Sequence, residues 1–326
     1  MKRKYLLFIS KGNEAPSTRY RALTYFNALR ADGWHPVHIA VHDNPLSRLR
    51  LLKEAGQADV VIILRKTFNA LFSRLVRLCS KHLVLDMDDA IFCSSKGTTS
   101  STRWNRFRRM ARYCDQIWAG NKYLADVARR YNSAVSILPT SLDPGKYEIR
   151  AKKPSKHIDL VWIGSKSTGK YLKEGLPVLE DLARSLPHIR LKIIADFDLE
   201  TKILTTLPVP WNEKREAYDL SSAHIGIAPM PDNPWTKGKC GLKVLQYMAA
   251  GLPVVSSVSG VNAEIIQHGK TGFLADSPEE WRGAVEKLVH DPELRRVMGE
   301  TGRMWVMKRY SIDATYPKMA RALRIL

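Results

Sequence analysis

The stretch Trp235–Pro253 combines lysines, glycines and the start of a helix in a pattern that suits an anion. A basic, glycine-containing turn leads into a helix, and the first turn of a helix presents unpaired N–H groups and the positive end of the helix dipole. We therefore expect Lys239, Gly241, Leu242 and Lys243 to bind phosphate. The two lysines are four residues apart, which places both ammonium groups on one helix face. The alternative is an ordinary helix with solvated lysines.

A second turn of this kind follows an apolar run that ends at Ile163. Ser165 and Lys166 come directly after the run, where they offer a hydroxyl and a charge to a phosphate. The alternative is a capped helix start with no ligand, because the same residue types cap helices.

Two arginines follow the first apolar run of the chain. Ser17 or Thr18 is expected to cap a helix, with Arg19 and Arg21 in its first turn. Cations at that end oppose the helix dipole, so a bound anion or an acidic partner would explain them. The alternative is a pair of exposed arginines.

Three carboxylates, those of Asp86, Asp88 and Asp89, follow another apolar run. Carboxylates this close repel one another, so they need cations nearby. They could bind a divalent metal, supply a general base, or pair with arginines. Asp88 and Asp89 are the candidate catalytic pair. An Asp-x-Asp after a strand also resembles a phosphatase of the haloacid dehalogenase type.

One aromatic side chain, Trp211, stands in a proline-rich turn before a short helix. It is a candidate for stacking on a nucleobase, and core packing is the alternative.

Apolar runs of strand length alternate with helix-like segments along the whole chain, which predicts parallel sheets covered by helices. We expect five or six strands in each half, hence two Rossmann-like domains with a ligand cleft between them. The junction is expected near Pro139–Pro144 or Arg150–Lys156. The predicted strands are Tyr5–Ile9, Val37–Val41, Val60–Leu64, Leu83–Leu85, Ile117–Ala119, Val135–Leu138, Leu160–Ile163, Leu191–Ala195, Ile225–Ala228, Val254–Ser257 and Gly272–Leu274.

The net charge of +20 over 326 residues requires an explanation. Residues 1–150 carry 26 Lys and Arg against 12 Asp and Glu, whereas residues 151–326 carry 26 against 20. Such a field attracts nucleic acid, an anionic membrane or an anionic substrate. No nucleic-acid-binding motif is present, so nucleic acid is not an expected partner. The basic residues are interleaved with apolar ones in Ser47–Lys53, Phe72–Leu78 and Arg103–Arg112, a pattern that fits either an anionic bilayer or a core-facing helix with snorkelling cations.

No apolar run approaches the roughly 18 residues that span a bilayer. The four cysteines show no metal-ligand spacing. We expect a cytoplasmic protein, or one peripheral on the inner face of the plasma membrane.

The second half is similar to the GT-B glycosyltransferases of group 1, family 4-like. The resemblance covers about 110 residues and lies in the blocks Trp162–Ser165, Ile225–Met230, Lys239–Val255, Gly260–Glu264, His268–Leu274 and Glu280–Trp281. In the first half, Ser17–Arg21 and Asp86–Asp89 resemble a bacterial branch that decorates surface polysaccharides.

The resemblance implies an α/β GT-B fold with an acceptor-binding domain at 1–150 and a nucleotide-sugar-binding domain at 151–310. It implies that residues 311–326 form a helix that packs back on the first domain. It also implies retention of anomeric configuration, no metal cofactor, a nucleotide-sugar donor, and a glycan or lipid-linked acceptor.

The chain departs from the family at two glutamates that the motif usually carries. Gly238 and Gln246 stand in their places. Gln246 can still hydrogen-bond a ribose hydroxyl, and Asp232 or Glu264 is the candidate for the sugar contact. Because of the resemblance, a glycosyltransferase is the first hypothesis. A non-catalytic GT-B relative that binds a nucleotide or polymer is the alternative, and the phosphatase is a remote one.

Overall fold

The computed structural model of the chain describes residues 4–42, 44–147 and 151–326. These residues form two compact units of α/β structure. The first unit comprises Met1–Ser141, Asn233–Cys240 and Ile312–Leu326, and the second comprises Leu142–Asp232 and Gly241–Ser311.

The first unit contains a six-stranded parallel sheet in the order β2-β1-β3-β4-β5-β6. Its strands are β1 (Lys4–Ser10), β2 (Trp34–Ala40), β3 (Val60–Leu64), β4 (His82–Met87), β5 (Gln116–Ala119) and β6 (Val135–Ile137). The helices α1–α6 between them are Pro16–Arg21, Phe26–Ala31, Pro45–Gln57, Ala70–Cys79, Ser101–Tyr113 and Lys122–Arg129.

Both faces of this sheet are covered, because its strands are apolar on both sides. On one face Leu7 and Ile9 of β1 pack in the same cluster as buried residues of α3, α4 and α5. On the other, Leu6 and Phe8 pack with Met319 and Leu323 of the final helix. That helix is Ile312–Arg324, so the C-terminal segment completes the core of the first unit.

The second unit contains a six-stranded parallel sheet in the order β12-β11-β10-β7-β8-β9. Its strands are β7 (Ile158–Ile163), β8 (Ile189–Ile194), β9 (Thr205–Val209), β10 (Ile225–Ala228), β11 (Val254–Ser256) and β12 (Gly272–Leu274). The remaining helices, α7–α14, are Lys166–Ser185, Glu216–Ser221, Pro234–Lys237, Leu242–Ala249, Asn262–Ile265, Pro278–His290, Pro292–Tyr310 and Ile312–Arg324. Two of them, α9 and α14, belong to the first unit. Counted from β7, this strand order is that of a Rossmann sheet.

The structure confirms the α/β class and all eleven predicted strands, with end shifts of a few residues. It adds β9, which Pro208 concealed. Proline lacks an N–H and is confined to sheet edges, and β9 is an edge strand.

The unit boundaries differ from the expected ones at three places, of which the smallest is Ser311, a residue of the second unit. The first boundary follows Ser141, so residues 142–147 belong to the second unit, while Glu148–Arg150 lie outside the described residues. Asn233–Cys240, expected in the second domain, belongs to the first unit. It is held there by Asn121, whose side-chain amide donates to the carbonyls of Lys237 (3.0 Å) and Lys239 (2.9 Å). The cleft between the domains stays a prediction.

Within the described ranges, no helix is long and apolar enough to cross a bilayer.

Candidate functional site

The turn after β7 lies where the strand order of the second sheet reverses, between β7 and β10. Ligands of open α/β sheets bind outside the carboxyl ends of the strands at such a point. We call Gly164–Thr168 the α7 turn, because it leads into the 20-residue helix α7. Ser165 caps that helix, and its N–H donates to the Thr168 hydroxyl at 3.2 Å. Ser165 and Lys166 are exposed, so the first turn of a long helix is open to an anion.

Lys243 reaches the α7 turn from helix α10. Its Nζ donates to the Thr168 Oγ1 at 3.2 Å and lies 4.6 Å from the ring centroid of Trp162, a cation–π distance. Gly164 leaves the space, since a Cβ there would lie 2.6 Å from the ammonium nitrogen. The fold thus brings together two predicted phosphate contacts, the turn at Ser165 and Lys166 and the distant Lys243.

Gly241 sets the start of α10. It is the N-cap in a left-handed conformation (φ +68°), and a Cβ there would overlap the Ile265 side chain. The first helical residue is therefore Leu242. The expectation that Lys239 and Lys243 share a face of the first turn is wrong, because Lys239 precedes the helix.

Lys239 lies instead against the first sheet. Its Nζ is 2.7 Å from Oδ1 of Asp89 and 4.6 Å from the ring centroid of Trp235. A carboxylate therefore offsets its charge.

The three carboxylates at the end of β4, Asp86 within the strand and Asp88 and Asp89 just after it, are paired with cations of the first unit. Arg21 makes a bidentate pair with Asp86, with Nε to Oδ1 at 2.5 Å and Nη2 to Oδ2 at 2.7 Å. Arg65 lies between the other two, with Nε 3.2 Å from Oδ1 of Asp88 and Nη2 bonded to Asp89. Of the three roles the sequence left open, the structure shows arginine pairing. In the described ranges no three His, Cys, Asp or Glu side chains form a possible metal set.

The burial of these groups differs. The side chains of Arg21 and Asp86 are 1% exposed, that of Asp89 is 3% exposed and that of Asp88 is 14% exposed. Burial raises the pKa of Asp88, Arg65 opposes the rise and Asp89 adds to it. Asp88 is thus the carboxylate of this set with surface open to a ligand and a pKa shifted toward that of a general base.

The arginines after β1 are not where the sequence indicated. Helix α1 begins at Pro16, so Arg19 and Arg21 occupy its last turn, where cations are favourable. Ser17 and Thr18 do not cap it, and the Thr18 hydroxyl donates to Ser10 Oγ at 2.6 Å. Arg21 is a buried structural partner of Asp86, while Arg19 is half-buried over the Tyr20 ring.

Arg65 is a residue that sequence reasoning missed. It directly follows β3 and adopts a left-handed conformation (φ +54°), which is strained for a side chain of this size. The sequence could have pointed to Arg65 as a site residue through its position directly after an apolar strand.

Gln246 and Trp211 belong to one buried network in the second unit. Glu216, the first residue of α8, accepts hydrogen bonds from the Gln246 Nε2 (2.8 Å), the Trp211 Nε1 (2.9 Å) and the Tyr147 hydroxyl (2.9 Å). Sequence reasoning missed Glu216, because two of its three partners, Tyr147 and Gln246, are distant along the chain. A carboxylate therefore stands beside Gln246, where the family motif led us to expect one.

Gly238 is the other position of a missing glutamate, and the packing explains its loss. A Cβ at Gly238 would lie 2.6 Å from the backbone nitrogen of Ala90. No side chain fits while this turn stays against the segment that follows Asp89.

Asp232 and Glu264 are exposed. Their proposed contact with the sugar stays a prediction.

The chain is similar to known proteins over part of its length. The sequence model of the family described as "Glycosyl transferases group 1" matches residues 188–305. A sulfoquinovosyl transferase of Arabidopsis thaliana is 34% identical over 144 residues, covering 40% of this chain and 27% of that protein. A GDP-mannose-dependent alpha-(1-6)-phosphatidylinositol monomannoside mannosyltransferase of Mycobacterium tuberculosis is 37% identical over 117 residues, covering 33% and 30%. The chain thus spans less than a third of the length of these relatives.

Solved structures match over almost the whole chain. Sucrose-phosphate synthase from Thermosynechococcus elongatus superposes with a TM-score of 0.75 at 15% identity, covering 99% of both chains. Anabaena HepE, solved in complex with UDP and glucose, superposes with a TM-score of 0.72 at 13% identity, covering 99% of this chain and 100% of that one. At such low identities the likeness shows the shared GT-B fold.

Proposed function

We propose that this chain transfers a sugar from a nucleotide-diphosphate sugar to a hydroxyl group, because residues 188–305 match the sequence model of the group 1 glycosyl transferases. The acceptor we propose is a glycan, a lipid-linked sugar or another cell-surface acceptor, with retention of anomeric configuration. The observation that carries the proposal is the convergence of Lys243 with the open first turn of α7 at the reversal point of the second sheet.

The chemistry assigned to this site is stabilisation of the leaving group. The bond between the anomeric carbon and the phosphate oxygen breaks, and the departing diphosphate gains negative charge. Lys243 and the N–H groups at the start of α7 are fixed before the reaction, so they lower the barrier without reorganising. Ser165 and Lys166 supply further contacts, and Gly241 lets α10 begin at Leu242.

In the first unit we assign the acceptor hydroxyl to Asp88. Asp89 is committed to Arg65 and Lys239, whereas Asp88 keeps exposed surface and has a raised pKa. Asp88 then orients the hydroxyl and takes its proton, unless the departing phosphate takes the proton directly.

In the second unit Trp211 and Gln246 are the proposed base and ribose contacts. Glu216 holds both in one network, which fixes the indole and the amide before a nucleotide binds.

The remaining parts of the proposal are a reaction without a metal cofactor, a cytoplasmic location and a peripheral association with the inner face of the plasma membrane. The first is tested by turnover in a chelator such as EDTA, which should leave the rate unchanged. A rate restored only by Mg²⁺ or Mn²⁺ would contradict it.

The activity is tested with a panel of UDP, GDP and dTDP sugars and with a CMP sugar as the monophosphate comparison. We expect one diphosphate sugar to raise the thermal unfolding midpoint and to be hydrolysed or transferred slowly, and the CMP sugar to do neither. Stabilisation without turnover by any acceptor would favour the non-catalytic alternative. Neither stabilisation nor turnover across the panel would reject the proposal.

A further inference from the structure

The first unit exposes leucines on two neighbouring helices. Leu71, Leu75 and Leu78 of α4 are 70%, 37% and 72% exposed, and Leu46 and Leu49 of α3 are 79% and 64% exposed. These five are all the exposed leucines of residues 4–42, 44–147 and 151–326. Leaving so many large apolar side chains in water on one surface is unfavourable unless something covers them.

The spacing of these leucines places them on the outer faces of their helices. Leu71, Leu75 and Leu78 are separated by four and three residues, so they form one stripe along α4. The opposite face of α4 buries Phe72 and Val76 in the core. The helix is therefore apolar on both sides, whereas a helix that only covers a core is polar outside.

Cations share the same surface. On α3, Arg50 and Lys53 are exposed and lie on the same face as Leu46 and Leu49. On α4, Arg74 is exposed and borders the leucine stripe. The neighbouring helix α5 adds Arg103, Arg106, Arg108, Arg109 and Arg112.

The three helices are adjacent and lie on one face of the first sheet, since α3 contacts α4, α4 contacts α5, and all three pack in the same core cluster. Together α3, α4 and α5 hold ten Lys and Arg against one acid, Glu54, so they supply +9 of the net charge of +20. The Glu54 carboxylate is bonded to the Tyr5 hydroxyl at 2.7 Å.

We propose that the outer surface of α3 and α4, with the arginines of α5 beside it, docks the protein on an anionic lipid bilayer. The exposed leucines enter the interface between headgroups and acyl chains, while the cations pair with lipid phosphates. Nucleic acid would satisfy the charges but leave the leucines in water, so the bilayer fits both features. This proposal names the surface for the peripheral membrane association proposed above and rests on that association, and its test needs no sugar donor.

The experiment is co-sedimentation of the full chain with vesicles. The vesicles are pure phosphatidylcholine, or phosphatidylcholine with about 30% phosphatidylglycerol. The test variant is Leu71→Gln/Leu75→Gln/Leu78→Gln. The matched control is Val297→Gln/Met304→Gln on α13, whose side chains are 45% and 67% exposed. All variants are first checked for an unchanged unfolding midpoint and for their mass in solution.

We expect the wild-type protein to bind the anionic vesicles and to lose affinity as salt is raised from about 0.05 to 0.5 M. The triple leucine variant should bind at least about tenfold more weakly, because burial of each leucine side chain contributes roughly tenfold or more to partition. The control variant should bind like the wild type.

Three outcomes would overturn the proposal. In the first, the wild type binds neither kind of vesicle. In the second, the triple variant binds the anionic vesicles as well as the wild type does; equally strong binding of both proteins to DNA would then identify an anionic polymer as the partner. In the third, the wild type is a dimer that the triple variant dissociates while vesicle binding is unchanged, which would make this surface an interface between two copies.

Discussion

The carboxyl edges of the two sheets carry similar charged residues, but the groups that those residues contact differ. At the first sheet, Arg21, Arg65 and Lys239 each contact a carboxylate, and Arg21 and Asp86 are almost fully buried. At the second sheet, Lys243 contacts a hydroxyl and an aromatic ring beside an exposed helix start. A cation paired with a carboxylate must give up that partner to bind phosphate, whereas Lys243 lies beside a helix start whose N–H groups attract the same anion.

Trp235–Pro253 contains both settings within a few residues. Lys239 ends in the first unit and Lys243 in the second, because α10 begins between them at Leu242. Spacing along the chain therefore does not identify a pair of phosphate ligands. What each lysine contacts decides its role.

The largest expected effect tests the carboxyl edge of the first sheet, where the cations contact carboxylates. Arg21→Leu should lower the free energy of unfolding by about 3–5 kcal/mol, because it leaves the Asp86 carboxylate buried without its partner. Urea denaturation of the variant measures this change. The control Arg19→Leu removes a half-buried arginine from the same helix and should cost about 1 kcal/mol or less. If Arg21→Leu kept its stability but lost affinity for the donor, the first edge would be a ligand site and the comparison would fail.

The next effect tests the carboxyl edge of the second sheet, at Lys243. Lys243→Met should lower kcat/KM by about 10²- to 10³-fold for the nucleotide sugar that the panel identifies as the donor. The reason is that the variant lacks the fixed positive charge that stabilises the departing diphosphate. The unfolding midpoint should change little. Lys239→Met, the paired lysine four residues earlier, should lower kcat/KM far less. Equal losses from both variants would mean that the two lysines act as one clamp, as their spacing first suggested.

The smallest effect sharpens the account of Gln246. Gln246→Glu restores the residue type usual for the family motif, yet it would place a second carboxylate against Glu216. We expect it to lower the free energy of unfolding by about 1–3 kcal/mol at neutral pH, since like charges in a buried site repel. Adding Glu216→Gln should recover most of the loss, because the pair then has one carboxylate again. A stable, more active Gln246→Glu single variant would show that Glu216 does not take the place of the missing glutamate.

Much of the secondary structure was predictable, because buried parallel strands are continuous apolar runs. The errors lie where a tertiary contact overrides the local pattern. Thr205–Val209 is a strand despite Pro208 because it lies at an edge. Helix α1 begins at Pro16, since Thr18 bonds to Ser10 across the first loop and does not cap the helix.

The candidate site was predictable in part. Ser165 and Lys166 were identified from a turn that follows an apolar strand, and Gly241 and Lys243 from a turn that leads into a helix; the fold joins Lys243 to the α7 turn. Arg65 and Glu216 were missed, because what marks them is their partners. Arg65 meets Asp88 and Asp89 from the next strand, and Glu216 meets Gln246 from another helix.

The sequence by itself determined the fold class and the positions of the strands, and it supplied the candidate residues for an anion site, because periodicity and turn chemistry are local properties. Only the tertiary structure decided which of those charges a carboxylate offsets, and that the leucines of α3 and α4 face outward among cations. Electrostatic and hydrophobic free energies depend on distance and burial in space. Residues such as Lys239 and Asp89 are 150 positions apart in the chain, yet their charged atoms lie 2.7 Å apart in the fold.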